Sequence, residues 1–292
     1  MTDESGSRDV HAYYEGNTRS FLRFGQGRGT GTIRRAIWAP GVGSREDAFH
    51  FVDQEIARRL GLDRRPGARV LDLGCGVGGS LLWLAERFDV EGTGVTLSEV
   101  QSEIAQRLLA ERRAKLRGSV RVVRGDLHDF APGTPQNAAF AIESFIHVPD
   151  AARFFRHAKA VLEPNGTLIV VDDFLAAAGA RSARISDEES ARVVRDFRRG
   201  WRVQTLVTVG EAAGVARAAG FDLVDQMDLT PYLDLGRPRD VVIRQMVRAM
   251  RLFPSLDRRP GLANLIGGDA LQRGLETNVL THRLAVFRAS GA

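Results

Sequence analysis

Residues Val70-Leu71-Asp72-Leu73-Gly74-Cys75-Gly76-Val77-Gly78-Gly79-Ser80 constrain the fold of this chain more than any other stretch. An apolar run carrying one acid meets a cluster of glycines, and a helical pattern over Ser80 to Ala85 begins at once. That order predicts a strand, a tight turn and a helix start. Glycine lets backbone approach a ligand closely, and the first helical turn offers N–H groups that lack intrahelical partners. Gly74, Gly76 and Gly79 keep the spacing G-x-G-x-x-G. By itself that spacing fits a nicotinamide-dependent oxidoreductase, or merely a packed strand–helix turn. Two features weigh against a dinucleotide. Asp72 sits inside the strand, two residues before the first glycine, where it can catch a cationic amine. The next strand ends Gly92-Thr93-Gly94-Val95-Thr96-Leu97-Ser98, without the acid expected on a ribose.

Strands and helices alternate around this stretch. The pattern predicts strands at Arg69–Leu73, Val90–Val95, Val120–Arg124, Asn137–Ser144, Thr167–Val171, Phe221–Leu229 and Leu284–Phe287. Helices are expected at Arg45–Leu60, Gly79–Phe88, from the Ser98 cap to about Leu116, at Pro149–Leu162 and at Val209–Ala219. Glu163-Pro164-Asn165-Gly166 reads as a turn. Strand, helix, strand at this spacing implies a parallel sheet with right-handed crossovers. Residues 1–66 read as an N-terminal helical and aromatic cap, and 67–292 as the α/β domain, with insertions near 174–208 and 230–278. The first insertion reads as a helical lid; the second is open between a lid and a dimer contact.

Composition narrows the partners. The net charge is +5, and arginine supplies nearly all the basic residues. The densest runs, Arg112-Arg113, Arg195–Arg202 and Arg258-Arg259, are not interleaved with aromatics in a stacking pattern, so a nucleic-acid partner is not expected. No apolar run reaches membrane-spanning length, and the polar start is unlike a signal peptide, so a cytoplasmic protein with no membrane partner is expected. The single cysteine, Cys75, excludes an internal disulfide and fits a packing role.

The D-x-G-x-G of Asp72 to Gly76 resembles motif I of the class I S-adenosylmethionine (SAM)-dependent methyltransferases. The match continues through Gly94-Val95-Thr96-Leu97-Ser98-Glu99-Val100-Gln101, similar to the G-V-T-L-S-x-x-Q signature of the branch holding cyclopropane synthases and the tocopherol and sterol C-methyltransferases. Gly125-Asp126 and Glu143 to His147 extend it, over roughly residues 70–173. The resemblance implies a Rossmann-like fold with a mostly parallel seven-stranded sheet and helices on both faces. It also implies SAM as cofactor, S-adenosylhomocysteine (SAH) as product, and cofactor contacts from Tyr14, Asp72, Gly74, Gly76, Thr96, Leu97, Gln101, Asp126 and Leu127. Asp72 then serves the amino-acid end, Asp126 the adenine amine, and Tyr14 the cofactor carboxylate. Thr96 replaces the usual ribose-binding acid, with Gln101 assisting.

Glu143 and His147 follow the fourth strand, where the resemblance places the acceptor. Tyr13 stands where the branch has histidine and completes the catalytic candidates. Phe24, Trp38, Phe145 and Tyr232 are candidate walls of an apolar acceptor pocket. A carboxylate and aromatic faces beside a reacting carbon suit a developing cation. These residues favour methyl transfer to carbon of an electron-rich small molecule, a prenyl or sterol-like alkene or an indole. N- or O-methylation of a secondary metabolite, RNA methylation and a non-enzymatic binder remain alternatives. No metal-ligand constellation is evident and no metal is expected; a homodimer is consistent with the aromatic N-terminus.

Overall fold

The structure, a computed structural model, describes residues 34–250 and 260–291, together with Glu15 and Thr18. Its strands are β1 (Ala68–Leu73), β2 (Val90–Thr96), β3 (Ser119–Arg124), β4 (Gln136–Ile142), β5 (Leu162–Leu175), β6 (Phe221–Asp228) and β7 (Leu280–Ala289). Its helices are α1 (Arg45–Leu60), α2 (Gly79–Arg87), α3 (Glu99–Arg112), α4 (Ala151–Val161), α5 (Asp187–Gly200), α6 (Val209–Ala218), α7 (Pro238–Met250) and α8 (Pro260–Glu276). The seven strands form one sheet in the order β3-β2-β1-β4-β5-β7-β6. β1 to β5 run parallel to their neighbours, and β7 lies antiparallel between β5 and β6. The expected mostly parallel seven-stranded architecture is therefore present.

β1 shows why. Val70, Leu71 and Leu73 are wholly buried, as a strand covered on both faces requires. Asp72 pairs with Gly94 of β2 on one side and Phe140 of β4 on the other. The strand order reverses there, and open sheets of this kind hold ligands beyond the carboxyl ends of strands at such a reversal. Gly94 is sterically required, since a Cβ on it would lie 2.7 Å from Cys75 Sγ. Ser98 caps α3 by accepting from the Gln101 N–H, and Gly61 closes α1 in the left-handed conformation.

Boundaries differ from the sequence pattern most at three strands: β4 ends at Ile142, two residues before the expected Ser144, and β5 and β7 differ as well. The register jumps from Gln136↔Leu162 to Ala138↔Thr167, so Glu163–Gly166 forms an irregularity inside β5 rather than a turn before it. Asn165 takes the left-handed conformation there, at φ 61°. β7 begins at Leu280, four residues ahead of the expected Leu284, because its antiparallel pairing with β5 continues to Leu175.

The two insertions pack as one helical layer. Phe197 of α5 and Ala270, Leu271 and Leu275 of α8 share a hydrophobic cluster with Val203, Leu206 and Ile146, the last lying just beyond β4. α5 and α8 meet glycine against glycine: a Cβ on Gly200 would lie 2.5 Å from Gly267 Cα and 2.4 Å from the Ala263 carbonyl. Backbone cannot yield as a flexible side chain does. Gly200→Ala is therefore expected to lower unfolding free energy by about 2 kcal/mol, read as a lower urea midpoint at constant m-value. An unchanged midpoint would mean that the helices do not cross there.

Candidate active site

The loop after β1 builds the floor of a cavity at the carboxyl ends of β1, β2 and β4. Gly74, Gly76 and Gly78 all take positive φ, at 95°, 54° and 77°. This folds the Gly74 and Cys75 N–H groups back onto the Val95 carbonyl, at 3.0 and 2.9 Å. A Cβ on Gly76 would meet nothing within 4 Å, so the loop leaves open space above it. Asp72, Gly74, Cys75, Gly76, Thr96, Leu97, Gln101, Asp126, Leu127, Glu143 and His147 all border the cavity. Residues that follow β1, β2, β3 and β4 thus border one cavity.

Asp72 is 3% exposed. Burial, reinforced by the negative charge of Asp53, pushes its carboxyl well above the usual carboxylate range; Arg34 opposes the shift without cancelling it. Such a group accepts its negative charge when a cation arrives beside it. The end of β2 is tied in a polar chain. Thr96 Oγ1 donates to Gln101 Oε1 at 2.7 Å, and Gln101 Nε2 donates to Thr18 Oγ1 at 3.2 Å. Glu15 accepts from the Glu99 N–H at 2.6 Å, placing a carboxylate at the positive end of α3. Asp126 Oδ1 accepts the His128 N–H at 2.9 Å, so this acid shapes its turn as well as bordering the cavity. Cys75 packs with Ala105 and Val122.

Glu143 is the strained residue of the site. It follows β4 with φ 50°, a conformation that costs a non-glycine residue about 1–2 kcal/mol and marks functional positions. Its Oε1 accepts from Arg35 twice, from the backbone N–H at 3.4 Å and from Nε–H at 3.3 Å. Arg35 Nη2 reaches Asp173 Oδ1 at 2.8 Å and His282 Nδ1 at 2.8 Å, and His282 Nδ1 lies 3.1 Å from the same aspartate oxygen. Burial would raise the Asp173 carboxyl, but Arg35 and His282 overcome it and hold it below its ordinary range. Asp172 goes the other way, well up, through burial and the adjacent Asp173; it accepts the Ile146 N–H at 3.1 Å and so secures the short helical turn Phe145–His147. Burial pushes His147 down to about 4, so its imidazole is neutral at neutral pH. Its Nδ1 lies 3.4 Å from the Arg202 carbonyl, which fixes Nδ1 as the protonated nitrogen and Nε2 as the acceptor.

Three aromatic assignments change, and three fall outside the described residues. Phe145 does not border the cavity: it is 1% exposed, with its ring 5.1 Å from Phe154 and 6.1 Å from Phe174, because the turn after Glu143 directs it into the core. Trp38 and Tyr232 lie apart from the cavity as well. Ile37 bridges Leu233 antiparallel and is fully buried, so strand alternation turns its neighbour Trp38 outward, at 42% exposure. Tyr232 accepts the Trp38 N–H at its carbonyl and packs against the main core. Tyr13, Tyr14 and Phe24 lie outside the described residues. Arg34 and Arg35 are the residues that sequence reasoning missed. Nothing in Thr32-Ile33-Arg34-Arg35 marks either, among so many arginines, as a buried partner of residues far along the chain.

These donors suit an adenine nucleoside carrying an ammonium group. Asp72 is a buried carboxyl, the space above Gly76 is open, and the end of β2 is polar. A Rossmann-like sheet with this cleft defines the class I methyltransferase architecture. The methyltransferase domain family matches residues 44–226, more than half of the chain, and the chain belongs to that family. Among curated relatives, sterol 24-C-methyltransferase of Aspergillus fumigatus is 28% identical over 227 residues, covering 77% of this chain and 54% of the relative. An O-methyltransferase of Penicillium expansum is 28% identical over 195 residues, covering 64% of each. The chain thus spans about half to two-thirds of these relatives' lengths. Among solved structures, the cyclopropane synthase MmaA2 from Mycobacterium tuberculosis superimposes with a TM-score of 0.72 at 19% identity, covering 97% of this chain and 98% of that one, and shares the fold.

Proposed function

We propose that this protein is a SAM-dependent methyltransferase acting on carbon of an electron-rich small molecule, a prenyl or sterol-like alkene or an indole-type ring. The observation that carries the proposal is the position of Glu143: an acid that borders the cavity, held in the left-handed conformation just after β4, with Oε1 fixed by Arg35. SAM supplies a methyl carbon already activated by its sulfonium. What remains for the chain is to orient the reactants, to exclude water and to stabilise charge.

Asp72 takes the ammonium, and Gly74 and Gly76 give the backbone its close approach. Thr96 and Gln101 face the ribose, and Asp126 with Leu127 the adenine. Glu143, with one oxygen held by Arg35, presents its other side to positive charge that grows on an attacked π-bond. His147 Nε2 is the nearby neutral acceptor for a proton lost afterwards, although burial makes it a weak base. A heteroatom acceptor is the second reading, favoured by the O-methyltransferase among the relatives.

The test incubates the protein with methyl-labelled SAM and a panel of prenyl diphosphates, sterols and indoles, and locates the label by NMR. New carbon–methyl bonds are expected. Label found only on oxygen or nitrogen overturns the carbon assignment, and absence of SAH binding by calorimetry overturns the methyltransferase reading itself.

A further inference from the structure

Four ionisable side chains from distant parts of the chain meet behind the cavity wall: Arg35 ahead of α1, Glu143 after β4, Asp173 on β5 and His282 on β7. Arg35, Asp173 and His282 are buried, and Glu143 borders the cavity. Three of their atoms close a triangle. Arg35 Nη2 lies 2.8 Å from Asp173 Oδ1 and 2.8 Å from His282 Nδ1, and Nδ1 lies 3.1 Å from Oδ1. Nη2 is always a donor, and Oδ1 is an acceptor because Asp173 is held ionised. Nδ1 takes one role at a time. Without a proton it accepts from Nη2. With a proton it donates to Oδ1 and confronts the Nη2 donor at the same 2.8 Å. The observed arrangement therefore belongs to an Nδ1 that carries no proton. A second arrangement lies close by. Arg35 Nη1 and Asp173 Oδ2 are buried and have no partner among the described residues. The pair thus holds a spare donor and a spare acceptor, and a guanidinium facing both carboxylate oxygens is the stronger form of such a contact. Adopting it re-aims the guanidinium, whose Nε–H now holds Glu143 Oε1 at 3.3 Å.

We propose that Arg35 is the positioning residue of Glu143, and that it holds Glu143 at the cavity wall only while His282 Nδ1 is unprotonated. The inference rests on the reading of Glu143 given above and adds to it a holder and a release. A proton on Nδ1 gives Asp173 Oδ1 to the imidazolium, moves the guanidinium to the spare oxygen Oδ2, and takes from Glu143 the Nε–H that fixes its side chain. Two packings of one small group, chosen by one proton, make such a switch. The other charges nearby offer His282 no substitute partner. Asp172, next to Asp173, is turned onto the Ile146 N–H at 3.1 Å. On the neighbouring β6, Asp228 pairs with Arg283 at 3.2 Å, and Glu276 at the end of α8 pairs with Arg244 at 2.8 Å. His147, which also feels Glu143 and Asp173, stays neutral at and above mildly acidic pH. Among the described residues His282 thus answers to Arg35 and Asp173 directly, and to Glu143 through Arg35.

Isotope labelling tests the coupling without any acceptor. Histidine ring nitrogens and glutamate carboxyl carbons are followed by NMR from about pH 8 downward through the titration of His282, with His282→Asn and Glu143→Gln identifying the two signals. At the alkaline end His282 is expected to carry its hydrogen on Nε2 and none on Nδ1. On acidification the Glu143 carboxyl signal is expected to move with the midpoint of His282, and in Arg35→Gln that shared midpoint is expected to vanish. A hydrogen on Nδ1 at the alkaline end, a Glu143 signal indifferent to His282, or a His282 that stays neutral until the protein unfolds overturns the proposal. All three are read in the wild type, so they decide even if Arg35→Gln does not fold. With the acceptor found by the labelled-SAM panel, Arg35→Gln is expected to lower kcat by about 30-fold while acceptor KM and SAH affinity change by less than about threefold. Arg35→Lys, which keeps the charge without the fork, is expected to recover part of kcat. A purely structural Arg35 would lower the melting temperature and leave kcat of the folded protein unchanged, and that result overturns the positioning role. Label found only on oxygen or nitrogen overturns the carbon reading and leaves the coupling standing, whereas a carbon methyltransferase without the coupling overturns this inference alone.

Discussion

Glu143→Gln is expected to lower kcat for carbon methylation by about 10²–10³-fold while SAH affinity changes by less than about threefold. The substitution isolates charge from shape. A glutamine oxygen still accepts from the Arg35 N–H and Nε–H, the two contacts that fix Oε1, so the side chain keeps its place. What disappears is the carboxylate charge of Glu143 at the cavity wall. In the ground state that charge has little to act on beyond the activated methyl itself. It matters when the attacked carbon framework becomes cationic, so the loss falls on kcat and kcat/KM together rather than on KM. Steady-state kinetics on the best acceptor of the panel, with SAH calorimetry beside it, checks both halves. Full activity in the variant would remove Glu143 from the chemistry and favour a heteroatom acceptor, whose own lone pair makes a cation-stabilising acid unnecessary. A collapse of SAH binding would instead move Glu143 into the cofactor cleft.

The cofactor half of the site was legible in the sequence because it is local. A strand, a glycine turn and a helix start occupy Val70 to Ser80, and Gly74, Gly76 and Gly78 have backbone conformations that only glycine adopts comfortably. Thr96 and Gln101 are five residues apart and bond directly, so their pairing lies within one strand end and one helical turn. The acceptor half was legible only in part, because it is assembled from distance. Arg35 meets Glu143 across 108 residues, Asp173 across 138 and His282 across 247. No period or spacing records such contacts. Phe145 failed for a different reason. An aromatic beside a site residue is as suited to core as to pocket, and one left-handed residue at Glu143 decides which way the next turn faces. The packing of the two inserted segments on each other depends on Gly200 meeting Gly267, a pair that sequence alone does not couple.

Asp72→Asn is expected to stabilise the ligand-free protein at neutral pH and to weaken SAH binding by about 100-fold, because the two states demand opposite things of one carboxyl. Without ligand, burial and the field of Asp53 raise the Asp72 carboxyl well above its unfolded value near 3.9. The sign follows from linkage. A raised carboxyl favours folding when protonated, so its stabilising contribution is whole below the unfolded value and is lost as pH climbs through the folded one. At pH 7 the fold carries that loss, and an uncharged amide removes it. With ligand, the ammonium of the amino-acid end favours the carboxylate, so binding requires the proton to leave. SAH affinity of the wild type should therefore fall on acidification, by up to about tenfold per pH unit, starting at a pH above the ordinary carboxylate range. 5′-Methylthioadenosine lacks the ammonium and should not follow the same curve. Melting temperatures of the ligand-free proteins between pH 5 and 8, with titrations of both nucleosides over the same range, separate the alternatives. A variant that melts lower than wild type at neutral pH would mean that Asp72 is stabilising as an ion, held by a partner other than the ligand. SAH affinity that is flat with pH would mean that its ammonium docks elsewhere.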